Sequence, residues 1–490
     1  MESTFIGEFR TDLHEISLIS ARTEKSWSGH NKLTRKSSTA FHKKPRRQGS
    51  AYSTNRKSEC DSSGVEVSNE DVEHLPPLLF ETSDMREAAL SAKLKQCFRV
   101  CNFNEVNKDT KSKEVKRVAL NDICDFLSWH FDSLDHSEIY EDLFQFFAVN
   151  LFRDLPPVKE VCPLELILVE VEEDDPIKDV AWPHLQLVYA IFLTVIQSPK
   201  FDPELASEYL NEEFVFKLLQ LFESYDSRER ELLQSVIYNI YLKMIYLRAC
   251  IRKQIAHVFL MFVEGNRSPN GVAELLDMMS SVICGFAVPI KQEHQQFLHH
   301  VLIPLHRPRS LPLYHESLTL CMTQFLERDE SLVDEMMNRL LPLWPRIQTA
   351  KSIKFINEVE SILEKVHNYD KENQAWLCLL ARKVASCIQS DHSLVAERAL
   401  TFANGQLFFD FLKPHALRII PLLFPALYHT SRTHWSATVT SLAFKLLTHL
   451  MSLNSELFDY LVDIQSGNEL KLTEQNHAEF ILDQHIHSIY

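Results

Sequence analysis

Four cations interrupt the apolar run YNIYLKMIYLRACIRKQI, Tyr238 to Ile255. Lys243, Arg248, Arg252 and Lys253 are the residue types that hold a carboxylate or a phosphate through charge-assisted hydrogen bonds. Read as a single helix at about 100° per residue, Tyr241, Ile245, Arg248 and Arg252 share one stripe. Ile240, Met244, Leu247 and Ile251 form the neighbouring apolar face. Lys243 points away from the stripe and reads as a solvated charge, and Lys253 lies off it. The spacing of the four cations leaves two readings, a solvated edge or the lining of a site at the border of the packed face.

Other chemistry finds less support. The densest histidine cluster, KQEHQQFLHHVLIPLH (291–306), holds His294, His299, His300 and His306 with no i,i+4 pair, and no HExxH occurs. They read as surface or lightly buried imidazoles, and no metal or other cofactor is expected. Cys97 and Cys101 lie one helical turn apart without a second pair to complete a zinc site. The ten cysteines read as buried, reduced thiols. Glu358 and Glu360 fall on different helix faces and read as solvated. Only nine glycines occur, the closest two being Gly265 and Gly271. That excludes GxGxxG, GxxxxGK and GxSxG, whose close glycines let backbone approach phosphate or turn behind a nucleophile.

The elements that must position these residues are helical. From Pro76 onward apolar residues recur at three- and four-residue steps, as in VAELLDMMSSVI (272–283), SIKFINEVESILEKV (352–366) and WSATVTSLAFKLLTHLM (435–451). Helix pairs are predicted to begin near Arg230, Val272, Leu311, Lys351, His392 and His434, a period near 40 in the HEAT and armadillo range. The tetrads LIPL (302–305), LLPL (340–343) and IIPL (419–422) mark late positions in second helices, where Pro bends or finishes the helix. Upstream pairs near Val118 and Pro183 are separated by a long loop (151–180) with the acidic run Glu172, Glu173, Asp174 and Asp175. The fold predicted is all-α, a superhelical solenoid of HEAT-like helix-pair repeats over 76–465. Residues 1–75 read as a disordered basic arm and 466–490 as a C-terminal tail.

Charge divides the chain in the same way. Residues 1–60 carry 12 Lys/Arg and 6 Asp/Glu, and the remainder 39 and 61, so a +6 arm precedes a −22 body. Such a body does not suit nucleic acid, whose phosphates need clustered cations. KKPRRQGS (43–50) reads equally as a nuclear-targeting or phosphorylation element and as an ordinary basic tail. No apolar run approaches a membrane span, and no secretory pattern opens the chain, which predicts a location in the cytosol or nucleus.

Seven ordered stretches carry a resemblance: AWPHLQLVY (181–189), RACIRKQI (248–255), NGVAELL (270–276), GFAVPIKQEH (285–294), LPLYHESL (311–318), VAERAL (395–400) and LYHTSRTHW (427–435). Together, over about 76–465, they resemble the B-prime regulatory subunits of protein phosphatase 2A. The resemblance implies a non-catalytic chain that binds a phosphatase scaffold subunit and a catalytic subunit and recruits substrates carrying a Leu-x-x-Ile-x-Glu motif. Tyr241, Arg248 and Lys291 match groove residues of that family. Met278 and Val282 stand where it has two isoleucines that receive the motif's Ile. Tyr238 and Asn239 stand where it has His-Arg, and Leu242 where it has Gly. Loss of that Arg implies weakened motif binding. The acidic run Glu172–Asp175 resembles a loop placed near the catalytic subunit. The residues alone also accommodate a HEAT-type adaptor or transport protein that holds basic partners without a phosphatase.

Overall fold

The computed structural model describes residues 74–78, 85–103, 105, 109–134, 136–155, 178–366 and 375–467. Among them the regular structure is entirely helical, with no strand. The described residues divide into two compact units, those up to residue 257 and those from residue 258 onward.

In the first unit the helices are α1 (Arg86–Gln96), α2 (Thr110–His130), α3 (His136–Leu151), α4 (Trp182–Gln197), α5 (Pro203–Ala206), α6 (Glu212–Gln220) and α7 (Ser227–Lys243), followed by the first part of α8 (Arg248–Val263). First helices stack on first helices, α2 on α4 and α4 on α7, while α1 packs on α3. The core is aromatic. Phe147 stacks on Phe192 at 4.2 Å, and Phe144 meets Phe192 and Phe214 edge-on. Side-chain caps start α5, α6 and α7. Asp202 accepts from the Glu204 and Leu205 amides, Asn211 from the Phe214 amide, and Asp226 from the Arg228 amide. Each satisfies an amide that a helix start leaves orphaned.

The second unit continues with the rest of α8, then α9 (Val272–Cys284), α10 (Gln292–Phe297), α11 (His315–Arg328), α12 (Val333–Leu340), α13 (Thr349–Leu363), α14 (Ala375–Ile388), α15 (Ser393–Ala403), α16 (Gln406–Leu412), α17 (Ala416–Thr433) and α18 (Ala437–Leu453). Residues 455–467 are also helical. Here α9 packs on α11, α11 on α13, α13 on α15 and α15 on α18, with second helices α12, α14 and α17 stacked alongside. This is the helix-pair stacking that the period predicts. First helices begin at Val272, His315, Thr349, Ser393 and Ala437, spacings of 43, 34, 44 and 44 rather than an even 40.

Two of the three Pro tetrads act as expected. Pro304 and Pro342 sit in 3-10 turns, Ile303–His306 and Leu341–Leu343, that close α10's continuation and α12. The third does not. Pro421 lies early in α17, together with Pro425, and the helix runs on to Thr433. Neither proline ends it, because α17 packs on both α14 and α18 and tertiary contact outweighs the missing donor.

Candidate functional site

The run from Tyr238 to Ile255 is two helices, where the sequence predicts one. α7 ends at Lys243, Met244 leaves the helical region (φ −98°, ψ 82°), Ile245–Leu247 form a 3-10 turn, and α8 starts at Arg248. The apolar face is nevertheless as predicted: Ile240, Met244, Leu247 and Ile251 are buried. The turn preserves their three- and four-residue steps, so periodicity passes through it unchanged.

The break gives Arg248 its role. Its Nε donates to the Tyr241 carbonyl at 2.8 Å and its Nη2 to the Leu242 carbonyl at 3.0 Å. These belong to the last turn of α7, which has no intrahelical donors for them and carries partial negative charge. The guanidinium also lies over the Tyr241 ring, 5.3 Å from its centroid. Arg252 Nη1 donates to Tyr241 Oη at 3.2 Å. The grouping of Tyr241, Arg248 and Arg252 therefore exists, assembled across a turn instead of along one helix. Lys243 is not simply solvated, since its Nζ donates to the Ser198 carbonyl at 3.2 Å. Tyr238 and Asn239 are half-buried on α7, and the Asn239 amide donates back to the Ser235 carbonyl at 2.8 Å.

The remaining groove residues belong to the second unit. Met278 and Val282 are buried on α9, i and i+4 as predicted, and Lys291 is exposed immediately before α10. The acidic run Glu172, Glu173, Asp174 and Asp175 lies outside the described residues.

A family model for the protein phosphatase 2A regulatory B subunit, B56 family, matches residues 75–480. The chain belongs to the B56 family. It is 40% identical over 392 residues to the protein phosphatase 2A 56 kDa regulatory subunit delta isoform of Oryctolagus cuniculus, covering 80% of this chain and 66% of that protein. Over 431 residues it is 38% identical to the alpha isoform of Homo sapiens, covering 88% and 84%. Over 370 residues it is 42% identical to the delta 1 isoform of Schizosaccharomyces pombe, covering 75% and 66%. The chain thus spans 64% to 66% of the length of the mammalian delta isoforms. B56 proteins are regulatory subunits, in agreement with the non-catalytic role expected.

This B56 chain also holds two buried polar clusters that the sequence reading misses. In the first unit, Arg153 donates to Glu229 through Nη1 and Nη2, both at 2.7 Å, and to Asp179 at 2.8 Å. Glu229 is fully buried and also accepts from Tyr189 Oη at 3.0 Å. Burial alone would lower the Arg153 pKa, but the two carboxylates hold it above its ordinary value.

In the second unit, Glu358 is fully buried, a correction to its reading as solvated. Its carboxylate faces His306 Nε2 at 2.9 and 3.0 Å and His315 Nε2 at 3.2 Å. His306 is likewise fully buried, not a surface imidazole. Burial would raise the Glu358 carboxyl, but the two imidazoles reverse this and hold it at about 2. Glu360 is paired with Arg398. Of the other histidines, His299 is buried and His294 stacks on Phe286 at 3.7 Å. Four of the described cysteines, Cys97, Cys101, Cys321 and Cys387, are buried as free thiols, whereas Cys284 is exposed.

Proposed function

We propose that this chain is the regulatory subunit of a heterotrimeric protein phosphatase 2A. It binds a scaffold subunit and a catalytic subunit, performs no phosphoester chemistry and selects substrates. The observation that carries this reading is the B56 match across residues 75–480. Tyr241, Arg248, Met278, Val282 and Lys291 are the proposed contacts for Leu-x-x-Ile-x-Glu segments. Binding is weakened relative to the family, because Asn239 spends its amide on its own helix and brings no cation. The acidic Glu172–Asp175 run is proposed to lie near the catalytic subunit, and the complex to work in the cytosol or nucleus.

Affinity purification of the full chain at native abundance, followed by mass spectrometry, tests the assembly. Scaffold and catalytic subunits are expected in near-stoichiometric amounts. Absence of both would overturn the reading and favour an adaptor that uses its acidic body to hold basic partners.

A further inference from the structure

The last helix pair of the second unit ends in an apolar face. Phe444 and Met451 on α18 are 53% and 45% exposed, and Tyr460 and Ile464 on the helix of residues 455–467 are 63% and 42% exposed. Their phase shows which way they point. His449 of α18 meets the Phe409 ring of α16 edge-on at 5.9 Å, and the Leu442 carbonyl accepts from Asn404, at the end of α15, at 3.1 Å. Phe444 and Met451 follow Leu442 and His449 by two positions, about 200° round the helix. In the same way Phe458 meets Phe424 of α17 edge-on at 5.3 Å. Tyr460 and Ile464, two and six positions on, lie about 200° and 240° round from it. All four side chains thus face away from the preceding repeat, to the side where a further repeat would stack. The outer face of a solenoid's end is ordinarily polar, and this one is not.

The chain carries its own cover for this face. First helices begin at Val272, His315, Thr349, Ser393 and Ala437, so one further step of 34 to 44 residues falls at 471–481. There AEFILDQHIHSIY (478–490) places Leu482, Ile486 and Ile489 at i, i+4 and i+7, the stripe of a helix with one buried face. Gly467 and Asn468 before it are residues that stop a helix. The intervening stretch 468–477 spans up to about 33 Å when extended, more than the roughly 26 Å length of α18, so the stripe reaches Phe444 and Met451. Charge does not decide the pairing. Lys445 is exposed on α18, and Glu456, Asp459 and Asp463 on the helix that follows it. The segment carries Glu479 and Asp483 together with His485 and His487. Neither set is of one sign, and the contact that remains is apolar.

We propose that residues 478–490 dock on this end face as one more first helix. Leu482, Ile486 and Ile489 lie against Phe444 and Met451 of α18 and against Tyr460 and Ile464 beside it. The segment is then the cap of the helix stack and not a free tail. The proposal stands on the second unit alone and is independent of the phosphatase reading.

Hydrogen exchange followed by mass spectrometry on the full chain tests it. Amides of 478–490 are expected to exchange at least tenfold more slowly than those of a free synthetic peptide of the same sequence. Leu482→Asp/Ile486→Asp in the segment should bring them within twofold of the peptide. Phe444→Asp/Met451→Asp, both at exposed side chains of the face, should do the same while α11 and α17 keep their protection. Exchange of the wild-type segment at the peptide's rate, or protection indifferent to the Phe444→Asp/Met451→Asp variant, overturns the proposal.

A photo-cross-link supplies a second measurement that does not depend on those variants. With p-benzoylphenylalanine in place of Ile486, in a mixture of unlabelled and nitrogen-15-labelled chains, cross-links to the α18 residues Phe444 and Met451 are expected within single chains only. Pairs of one labelled and one unlabelled chain would assign the face to a second copy. Cross-links to another part of the chain would assign the segment elsewhere. Either result overturns the proposal.

Discussion

Replacing Glu358 probes how the second unit holds a carboxylate in its core. His306 Nδ1 lies 2.8 Å from the Ile303 carbonyl, which only accepts, so Nδ1 carries a proton. Nε2 faces both carboxylate oxygens and carries the other, making the pair imidazolium and carboxylate. His315 Nε2 also faces the carboxylate, at 3.2 Å. The displacement of the Glu358 carboxyl from 4.5 to about 2 corresponds to roughly 3 kcal/mol at 1.36 kcal/mol per pH unit. Because the folded value lies below the unfolded one, this contribution is complete above about pH 5 and is lost as pH falls from 4.5 towards 2.

Glu358→Leu leaves two buried imidazoles without their acceptor and should cost about 3–5 kcal/mol. Glu358→Gln keeps the shape, since its amide can donate to a neutral His306 Nε2 and accept from His315, and should cost only about 1 kcal/mol. Hydrogen exchange followed by mass spectrometry on peptides covering 303–318 and 349–363 reads the local opening energy. Protection should collapse in the Leu variant and persist in the Gln variant. The Gln variant should also lack the acid-induced loss that wild type shows below about pH 4.5. Equal cost for the two substitutions, or parallel acid profiles for wild type and Glu358→Gln, would refute the paired-charge account.

Arg153→Met should orphan the fully buried Glu229 and cost about 3–5 kcal/mol in urea unfolding, with a substantial part recovered by adding Glu229→Leu. Arg248→Ala removes two hydrogen bonds to the end of α7 and should cost about 1–3 kcal/mol. Arg248→Lys should not restore it, because an ammonium lacks the planar fork that spans two carbonyls. Tyr238→His together with Asn239→Arg should raise affinity for a Leu-x-x-Ile-x-Glu peptide in anisotropy titrations, and unchanged affinity would show that these positions do not weaken the groove.

The stacking of helix pairs is legible in the sequence because each first helix buries one stripe, and a stripe repeats at three and four residues whatever lies beyond it. The break at Met244 is not legible, for the same reason. Ile240, Met244, Leu247 and Ile251 keep that spacing while the backbone turns. The buried charges are legible by phase and not by charge alone. Glu229 leads the buried series Leu233, Val236 and Ile240, and Lys116 leads Leu120, Ile123 and Leu127, each at i, i+4, i+7 and i+11. Lys351, Phe355, Glu358 and Ile362 repeat the series with two ionic members. The leading residue in each case reaches the end of an earlier element: Glu229 to Arg153, Lys116 to the Arg99 carbonyl at 2.7 Å, and Lys351 to the Arg307 carbonyl at 3.0 Å. An ionic residue in phase with a buried stripe must be paired or hydrogen-bonded, since an isolated charge there would be too costly. Its partners lie 17 to 76 residues away, where no local spacing reveals them. Phase therefore identifies Glu229, Lys116, Lys351 and Glu358 as structural charges.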